Sequence, residues 1–515
     1  MRVACCSDFI DLCGENPDEV LQKIVTGDET WVHHYDPESK QESMQWHIKE
    51  TFVGPSFPRM VWDLMRSGGG GGCAHHRSVW LAWGRRYGDL AALRLGEVRL
   101  LLVGGARVRE VAGRPDFDGR PAGDFYTLRS FGKRNLGIVF SEGDSWSITQ
   151  KTVLKYLRTF GFGQQRMEEL IGQECEELLG GLGEGGAREG GGLFSGAVLN
   201  VMWRLMAGRR FELSDPKLKH LCSLIKEIFT ATDMSGGLLT FLPIIRHLAP
   251  TLSGYNRLKH IHRQIYQFIS DTISEHQSSL VPSAPRDVID YLLIEMSERG
   301  EPFTLENIKV ICLDMLEAGM ETVGNSLDFL ILYLLRHPHE QARLHADIHR
   351  AVGSRPTSLG DRASMKYTEA AISESLRLSS VAPVGIPHCA REDTRLGGYS
   401  IPKGTVVLLS LYELHNGPHW GDPAQFRPER FLSPSGELLK PDNFLPFGFG
   451  KRRCIGESLS RAAMFLFVTR LLQRYHVRGD VRGDVRGDVR GDADMHAQPG
   501  ISLSVKPFTV IFEPR

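Results

Sequence analysis

The run Pro446-Phe447-Gly448-Phe449-Gly450-Lys451-Arg452-Arg453-Cys454-Ile455-Gly456 decides how this chain is read. Its glycines let the backbone turn tightly and approach a flat group closely. Lys451, Arg452 and Arg453 put positive charge beside a single thiol, which predicts a lowered thiol pKa. A lone thiolate in such a loop suits an iron porphyrin, because an axial sulfur pushes electron density outward and favours O–O cleavage. The competing reading is a buried cysteine in a basic turn.

The spacing Phe-x-x-Gly-x-Arg-x-Cys-x-Gly, met at Phe447, Gly450, Arg452, Cys454 and Gly456, resembles the haem-binding signature of the cytochrome P-450 family. The resemblance implies a mainly α fold with a small β-sheet subdomain and haem b as cofactor. Cys454 would be the metal ligand, and Phe447, Gly450, Arg452 and Gly456 would shape the cofactor's seat.

Further motifs stand in the family's order. Glu374-Ser375-Leu376-Arg377 lies in a segment, 366–378, whose composition reads as helix. A carboxylate and a guanidinium three residues apart share a helix face. Surface pairs of that kind are common and contribute little. In the family, however, such a pair meets the Arg of a Pro-x-Arg-Phe run, here Arg430, in a buried structural network.

Ala318-Gly319-Met320-Glu321-Thr322 interrupts an apolar stretch from about 305 to 336. Gly in a helix interior costs roughly 1 kcal/mol and buried polar groups need partners. One reading is a kink with Thr322 bonded back to its own turn. The other is an oxygen groove: the segment resembles the family's Ala-Gly-x-Glu-Thr, which implies that Thr322 and Glu321 deliver protons during catalysis.

Gly143-Asp144-Ser145-Trp146 opens a segment that resembles the family's helix carrying Trp and basic residues to a haem propionate. The family has two consecutive Arg where this chain has Gln150 and Lys151. Gln donates a hydrogen bond but lacks the fixed charge of a bidentate Arg. Arg120, His388 and Arg452 fall where the resemblance implies further propionate partners. The substrate contacts it implies are Ala318 and Gly319, the loop with Val381 and Val384, and the turn with Leu503. Their apolar character points to a lipophilic substrate.

The 515 residues carry 61 Lys and Arg against 62 Asp and Glu, a net charge of −1, so no global bias favours a nucleic-acid partner. The hydrophobic share, 41%, supplies a large core. Nine scattered cysteines with no Cys-x-x-Cys pair argue against a disulfide scaffold or a zinc site and for a reducing compartment. Residues 1–66 hold no apolar run long enough to span a bilayer and no secretory signal. The resemblance still implies the cytosolic face of the endoplasmic reticulum membrane, with the usual anchor helix missing. Phe241-Leu242-Pro243-Ile244-Ile245 either dips into a membrane surface or closes the core.

Within residues 1–52, the run 25–37 resembles the segment around the first catalytic Asp of mariner-type transposases, with Asp28 at that position. Such enzymes hold two metal ions with further carboxylates from a larger fold, so the fragment is expected to be inactive. A Gly-rich linker, 53–78, follows, and 79–515 is expected to be the monooxygenase domain. Two low-complexity stretches interrupt it: 180–192, where Gly content implies disorder, and the Val-Arg-Gly-Asp repeat of 477–492, read as a soluble tandem expansion. Helices are expected at 146–160, 163–179, 193–208, 216–231, 255–278, 285–298, 305–336, 338–352, 366–378 and 457–475, with short strands in 87–90, 93–103, 395–411 and 500–514.

The implied function is a haem-thiolate monooxygenase that takes electrons from an NADPH-cytochrome reductase and oxidises a steroid, a terpenoid hormone or a foreign compound. Lys151, Lys155 and Arg158, with Lys451 and Arg453, either dock that reductase or form a solvated face. Three readings compete. They are a haem-thiolate isomerase, opposed by Glu321-Thr322, a nucleic-acid enzyme, opposed by the missing carboxylates, and a non-catalytic remnant, kept open by Gln150, the insertions and the absent anchor.

Overall fold

A computed structural model describes residues 88–515 apart from 96–97, 183–186, 233 and 480–496. The transposase-like fragment, the linker and all of the Val-Arg-Gly-Asp repeat but Val477–Gly479 lie outside the described residues.

The chain starts with strands β1 (Leu90–Leu95) and β2 (Val98–Val103) and helices α1 (Arg107–Gly113) and α2 (Asp124–Leu128). Then come α3 (Gly143–Thr159), α4 (Gln165–Leu182), β3 (Ala187–Gly190), α5 (Ser195–Ala207) and α6 (Pro216–Ala231). Two short helices, α7 (Gly237–Phe241) and α8 (Ile245–Leu248), lead to α9 (Tyr255–Ser279), α10 (Val288–Arg299), α11 (Leu305–Arg336), α12 (Pro338–Val352) and α13 (Lys366–Ser379). Short strands β4 (His388–Cys389), β5 (Thr394–Leu396), β6 (Tyr399–Ile401) and β7 (Val406–Leu409) precede α14 (Leu411–Asn416) and α15 (Glu457–Arg474). The chain closes with β8 (Tyr475–Gly479), β9 (Ala497–Gln498), β10 (Ser504–Val505) and β11 (Phe508–Pro514).

Local chemistry sets several of these bounds. Asp215 accepts from Lys217 N at 2.8 Å ahead of Pro216, Asp287 accepts from Asp290 N, and Thr304 accepts from Asn307 N at 3.2 Å. Each side chain satisfies an amide that the first turn leaves open. α11 is apolar on nearly every face and packs against α5, α9, α13 and α15, so it is the axis of the molecule. β1 pairs antiparallel with β2, β2 parallel with β7, and β7 antiparallel with β4. In the parallel pair Leu100 to Val103 oppose Val406 to Leu409, and all eight are buried, as a strand covered on both faces requires.

Two expectations are corrected. The Gly-rich stretch 180–192 is not uniformly irregular: α4 extends to Leu182, and Ala187–Gly190 form β3 against β11. Four main-chain residues can join a sheet edge whatever their side chains, provided a partner strand waits. The helix expected at 457–475 ends at Arg474, and Tyr475 opens strand β8, paired with β11, which takes in the first three residues of the Val-Arg-Gly-Asp repeat. Of the apolar loop, Phe241 and Ile245 are buried, Ile245 beside Leu239 and Leu258, while Ile244 is 52% exposed, so one loop both closes the core and presents an apolar tip. Among the described residues no helix is long and apolar enough to cross a membrane.

Candidate active site

Gly448 and Gly450 adopt φ of +73° and +71°, which L side chains rarely accept, and a Cβ on Gly450 would lie 2.0 Å from the Ala112 carbonyl oxygen. The loop therefore folds flat onto α1. Cys454 N donates to Phe447 O at 2.9 Å, closing the loop, and the Arg461 guanidinium covers the Phe447 ring at 4.9 Å. Gly456 leads into α15, and a Cβ there would lie 3.7 Å from the Cys454 Sγ.

Cys454 is accessible, yet protein packs closely around it, and burial pushes its thiol up from the ordinary value. This corrects the expected lowering. Lys451 is engaged by Asp118 at 2.8 Å and Arg453 by Glu457, so the flanking cations are largely neutralised. Coordination to a metal deprotonates a thiol outright, so this direction does not oppose a ligand role.

Beside the loop, Arg452 lies over the Trp146 ring, 3.9 Å from its centroid, and its Nε donates to the Asp118 carbonyl at 2.9 Å. The buried Arg452 Nη1 has no hydrogen-bond partner among the described residues. Arg120 donates to the carbonyls of Val139 and Pro387, both at 2.9 Å, and His388 Nδ1 pairs with Phe117 O at 2.8 Å. Burial, with Arg452 nearby, holds Arg120 well below its ordinary value. Burial, with Arg120 and Arg452 nearby, pushes His388 down to about 3. Arg452 itself is pushed down to about 10 by burial. Guanidiniums that desolvate and repel one another, one with an unmet N–H, fit an anionic group such as a porphyrin carboxylate. Gln150 stands half-buried one turn after Trp146 on α3.

Glu374, Arg377 and Arg430 meet. Arg377 grips both Glu374 oxygens at 2.7 and 2.8 Å and Arg430 Nε donates to Oε1 at 3.2 Å, all three side chains being buried. Arg377 also donates to His415 O at 2.7 Å, and His415 links Ser380 to Leu445 N through its two ring nitrogens. Sequence reasoning passed over His415, which no motif marks.

On α11 the helix is continuous through Ala318–Thr322. The Thr322 hydroxyl donates to Ala318 O at 2.8 Å, back to its own turn. Ala318 is exposed although it sits on the central helix, so an interior space reaches that face. Gly319 faces elsewhere: a Cβ there would lie 2.5 Å from Met202 Cγ of α5, so its small size serves helix packing rather than substrate contact. Glu321, raised by burial, accepts from Asn325 Nδ2 at 3.0 Å, and Asn325 also donates to Ser502 Oγ at 3.3 Å. Leu503 N donates to Val381 O at 2.8 Å, so two of the expected substrate segments are joined, while Val384 is buried close by in sequence. Asn325 was missed, though a polar residue one turn after Glu321 in an apolar helix is a readable signal. A second buried group, Arg129 with Asp314 and Glu317, lies one turn earlier, and Asp314 also receives Val139 N at 3.0 Å.

The sequence model of the family described as Cytochrome P450 matches residues 73–491. Farnesoate epoxidase of Bombyx mori is 48% identical over 447 residues, covering 85% of this chain and 89% of that protein. Probable cytochrome P450 305a1 of Drosophila melanogaster is 36% identical, covering 83% and 86%. Cytochrome P450 2L1 of Panulirus argus is 33% identical, covering 76% and 82%.

Proposed function

We propose, from the premise that the chain belongs to the cytochrome P450 family and is one of its monooxygenases, that it oxidises a lipophilic terpenoid. The likeness to a farnesoate epoxidase supports that substrate class and favours an isoprenoid carbon–carbon double bond as the place of attack. Residues 79–515 would form the catalytic domain. Electrons would come from NADPH through a reductase docking on the exposed Lys151, Lys155 and Arg158 of α3, and Ile244 would touch the endoplasmic reticulum membrane.

The observation that carries the reading is the Cys454 loop beside buried cations whose guanidiniums hydrogen-bond carbonyls and, among the described residues, no carboxylate. Haem, when bound, supplies the oxygen chemistry. Cys454 would hold its iron, and Arg120, Arg452 and His388, with Trp146 and Gln150, would hold its carboxylates. Val381, Val384 and Leu503 exclude water from the substrate. Glu321, with its pKa raised by burial, keeps a proton to higher pH than an ordinary glutamate. The Thr322 hydroxyl must leave Ala318 O before its proton can point into the pocket.

The test is a difference spectrum of the reduced, carbon monoxide-treated protein, followed by turnover of farnesoate and its methyl ester with reductase and NADPH. We expect a thiolate-type Soret band that Cys454→Ser abolishes. A protein that takes up no haem is the non-catalytic remnant instead, and a band surviving the substitution removes Cys454 from the ligand role.

A further inference from the structure

We infer that Asn325 and Ser502 couple occupancy of the substrate pocket to the orientation of the Glu321 carboxyl group. The inference rests on the reading of Glu321 as the proton-delivering acid.

Adjacent residues on a helix point about 100° apart, so Glu321 does not face the pocket simply because Thr322 does. Its carboxylate is turned instead toward the residue one helical turn later. Asn325 Nδ2 carries two protons, and it spends one on Glu321 Oε2 at 3.0 Å and one on Ser502 Oγ at 3.3 Å. All three side chains are buried, at 3%, 6% and 4% exposure, so solvent offers no ready substitute for either bond.

Ser502 belongs to the turn between β9 and β10. Main-chain bonds hold that turn on two sides: Ile501 N donates to Phe229 O and Leu503 N donates to Val381 O, both at 2.8 Å. A Cβ on Gly500 would lie 2.0 Å from that same Phe229 oxygen, so the turn lies tight against the end of α6. The turn cannot move without drawing on the Val381 loop, and a ligand pressing on Leu503 or Val381 moves Ser502. Asn325 then loses or re-aims one of its two bonds. The line Val381–Leu503–Ser502–Asn325–Glu321, hydrogen-bonded apart from the peptide link between Leu503 and Ser502, thus runs from the apolar residues proposed to meet the substrate to the acid on α11.

The consequence is reciprocal. If the ligand changes the setting of Glu321, the protonation of Glu321 must change the affinity for the ligand by the same factor. The proton concerned sits on a Glu321 carboxyl oxygen and exchanges with water, so no other reactant is needed. Lys226 and Cys222 of α6 and Asp328 of α11 also act on that carboxylate; Asp328, pushed up to about 7 by burial, is bonded to Gly192 N and not to Asn325 or Ser502, so only the part of the profile that Ser502→Ala removes belongs to Glu321. A merely structural role for Asn325 and Ser502 would alter stability but not this linkage.

The test uses the haem-loaded enzyme and an uncharged probe, methyl farnesoate, whose own charge does not change with pH. Its dissociation constant is measured without turnover, from the optical shift on binding, between about pH 5 and pH 9. We expect a change of about five-fold or more across that range in the parent enzyme. Ser502→Ala and Asn325→Leu should flatten the profile, and Ser502→Thr, which keeps the hydroxyl, should restore it. Ser502→Ala guards against Asn325→Leu failing to fold, and the carbon monoxide spectrum reports that each variant is loaded. A flat profile in the parent enzyme, or a parent-like profile in Ser502→Ala, overturns the inference. Glu321→Gln separates the two claims: if it leaves the ratio of product to hydrogen peroxide unchanged, the reading of Glu321 as the acid fails. If that ratio falls while Ser502→Ala keeps its pH dependence, only the coupling fails.

Discussion

Two buried groups of arginines in this molecule are built to opposite rules. Around Glu374, Arg377 and Arg430 share one carboxylate and fill their remaining donors with main-chain oxygens, including His415 O at 2.7 Å and Pro423 O at 3.0 Å. Around Arg452, the guanidiniums of Arg120 and Arg452 meet carbonyls only. The nearest carboxylates are bonded to other cations: Asp118 to Lys451 at 2.8 Å and Arg391 at 3.2 Å, and Glu142 to Arg134 at 2.9 Å. The first group is complete within the chain. The second leaves a buried N–H of Arg452 unmet, and in the proposed function an anion from outside the chain completes it, so the difference would separate a residue set that maintains the fold from one that holds a cofactor.

Removing the single carboxylate of the closed group should give the largest effect. Glu374→Ala leaves two guanidiniums buried without an anion, a change that costs about 3–5 kcal/mol. Urea unfolding of the haem-loaded protein, followed by tryptophan fluorescence, should show that loss, and the purified variant should carry little haem. Glu374→Gln keeps the shape and tests whether charge is the reason. A midpoint within error of the parent in both variants would mean that the closed group does not carry the fold.

A smaller effect, of opposite sign in the two forms of the protein, is expected in the open group. Arg452→Leu removes one of the charges that push Arg120 and His388 down, so the haem-free protein should be as stable as the parent or more so. The haem-loaded protein should lose a charged hydrogen bond of about 1.5–3 kcal/mol, which is on the order of a ten- to hundred-fold faster haem release. Transfer of haem to an excess of apo-globin measures that rate. Destabilisation of both forms alike would erase the distinction between the two groups.

How far the sequence reveals these arrangements depends on the range of the interactions that make them. α11 and α12 fall where the sequence places them, at 305–336 and 338–352, because Thr304 caps one start, Pro338 occupies the other and the apolar stretches on both sides of Ala318–Thr322 keep the helical pattern. The loop at Cys454 is equally legible, since its glycines and cations are neighbours in the chain. β3 is not, because the strand that recruits Ala187–Gly190 begins at Phe508 and nothing local in a Gly-rich run announces it. The direction of the Cys454 thiol shift was misread for the same reason. Burial of the thiol by the folded chain outweighs the adjacent cations, and the spacing showed only the cations. Gly319 was read as an opening over the pocket when its neighbour is Met202 on another helix.

Gln150 offers the finest test of the comparison, because it allows the open group to be made more strongly cationic. It lies one helical turn after Trp146, whose ring carries the Arg452 guanidinium 3.9 Å from its centroid, and it is half-buried. Gln150→Arg would add a fixed planar donor beside charges that already repel one another. In the haem-free protein that addition should lower the thermal midpoint slightly, as a like charge in a poorly solvated place does. In the haem-loaded protein the same side chain gains a charged, bidentate partner where Gln supplied a neutral bond, and release should slow by about ten-fold, or ~1.4 kcal/mol. The two shifts must be opposite in sign for the open group to be an anion seat. A slower release without any loss in the haem-free form would place position 150 outside the cation cluster, and an unchanged release would show that α3 does not reach the cofactor's carboxylates at that turn.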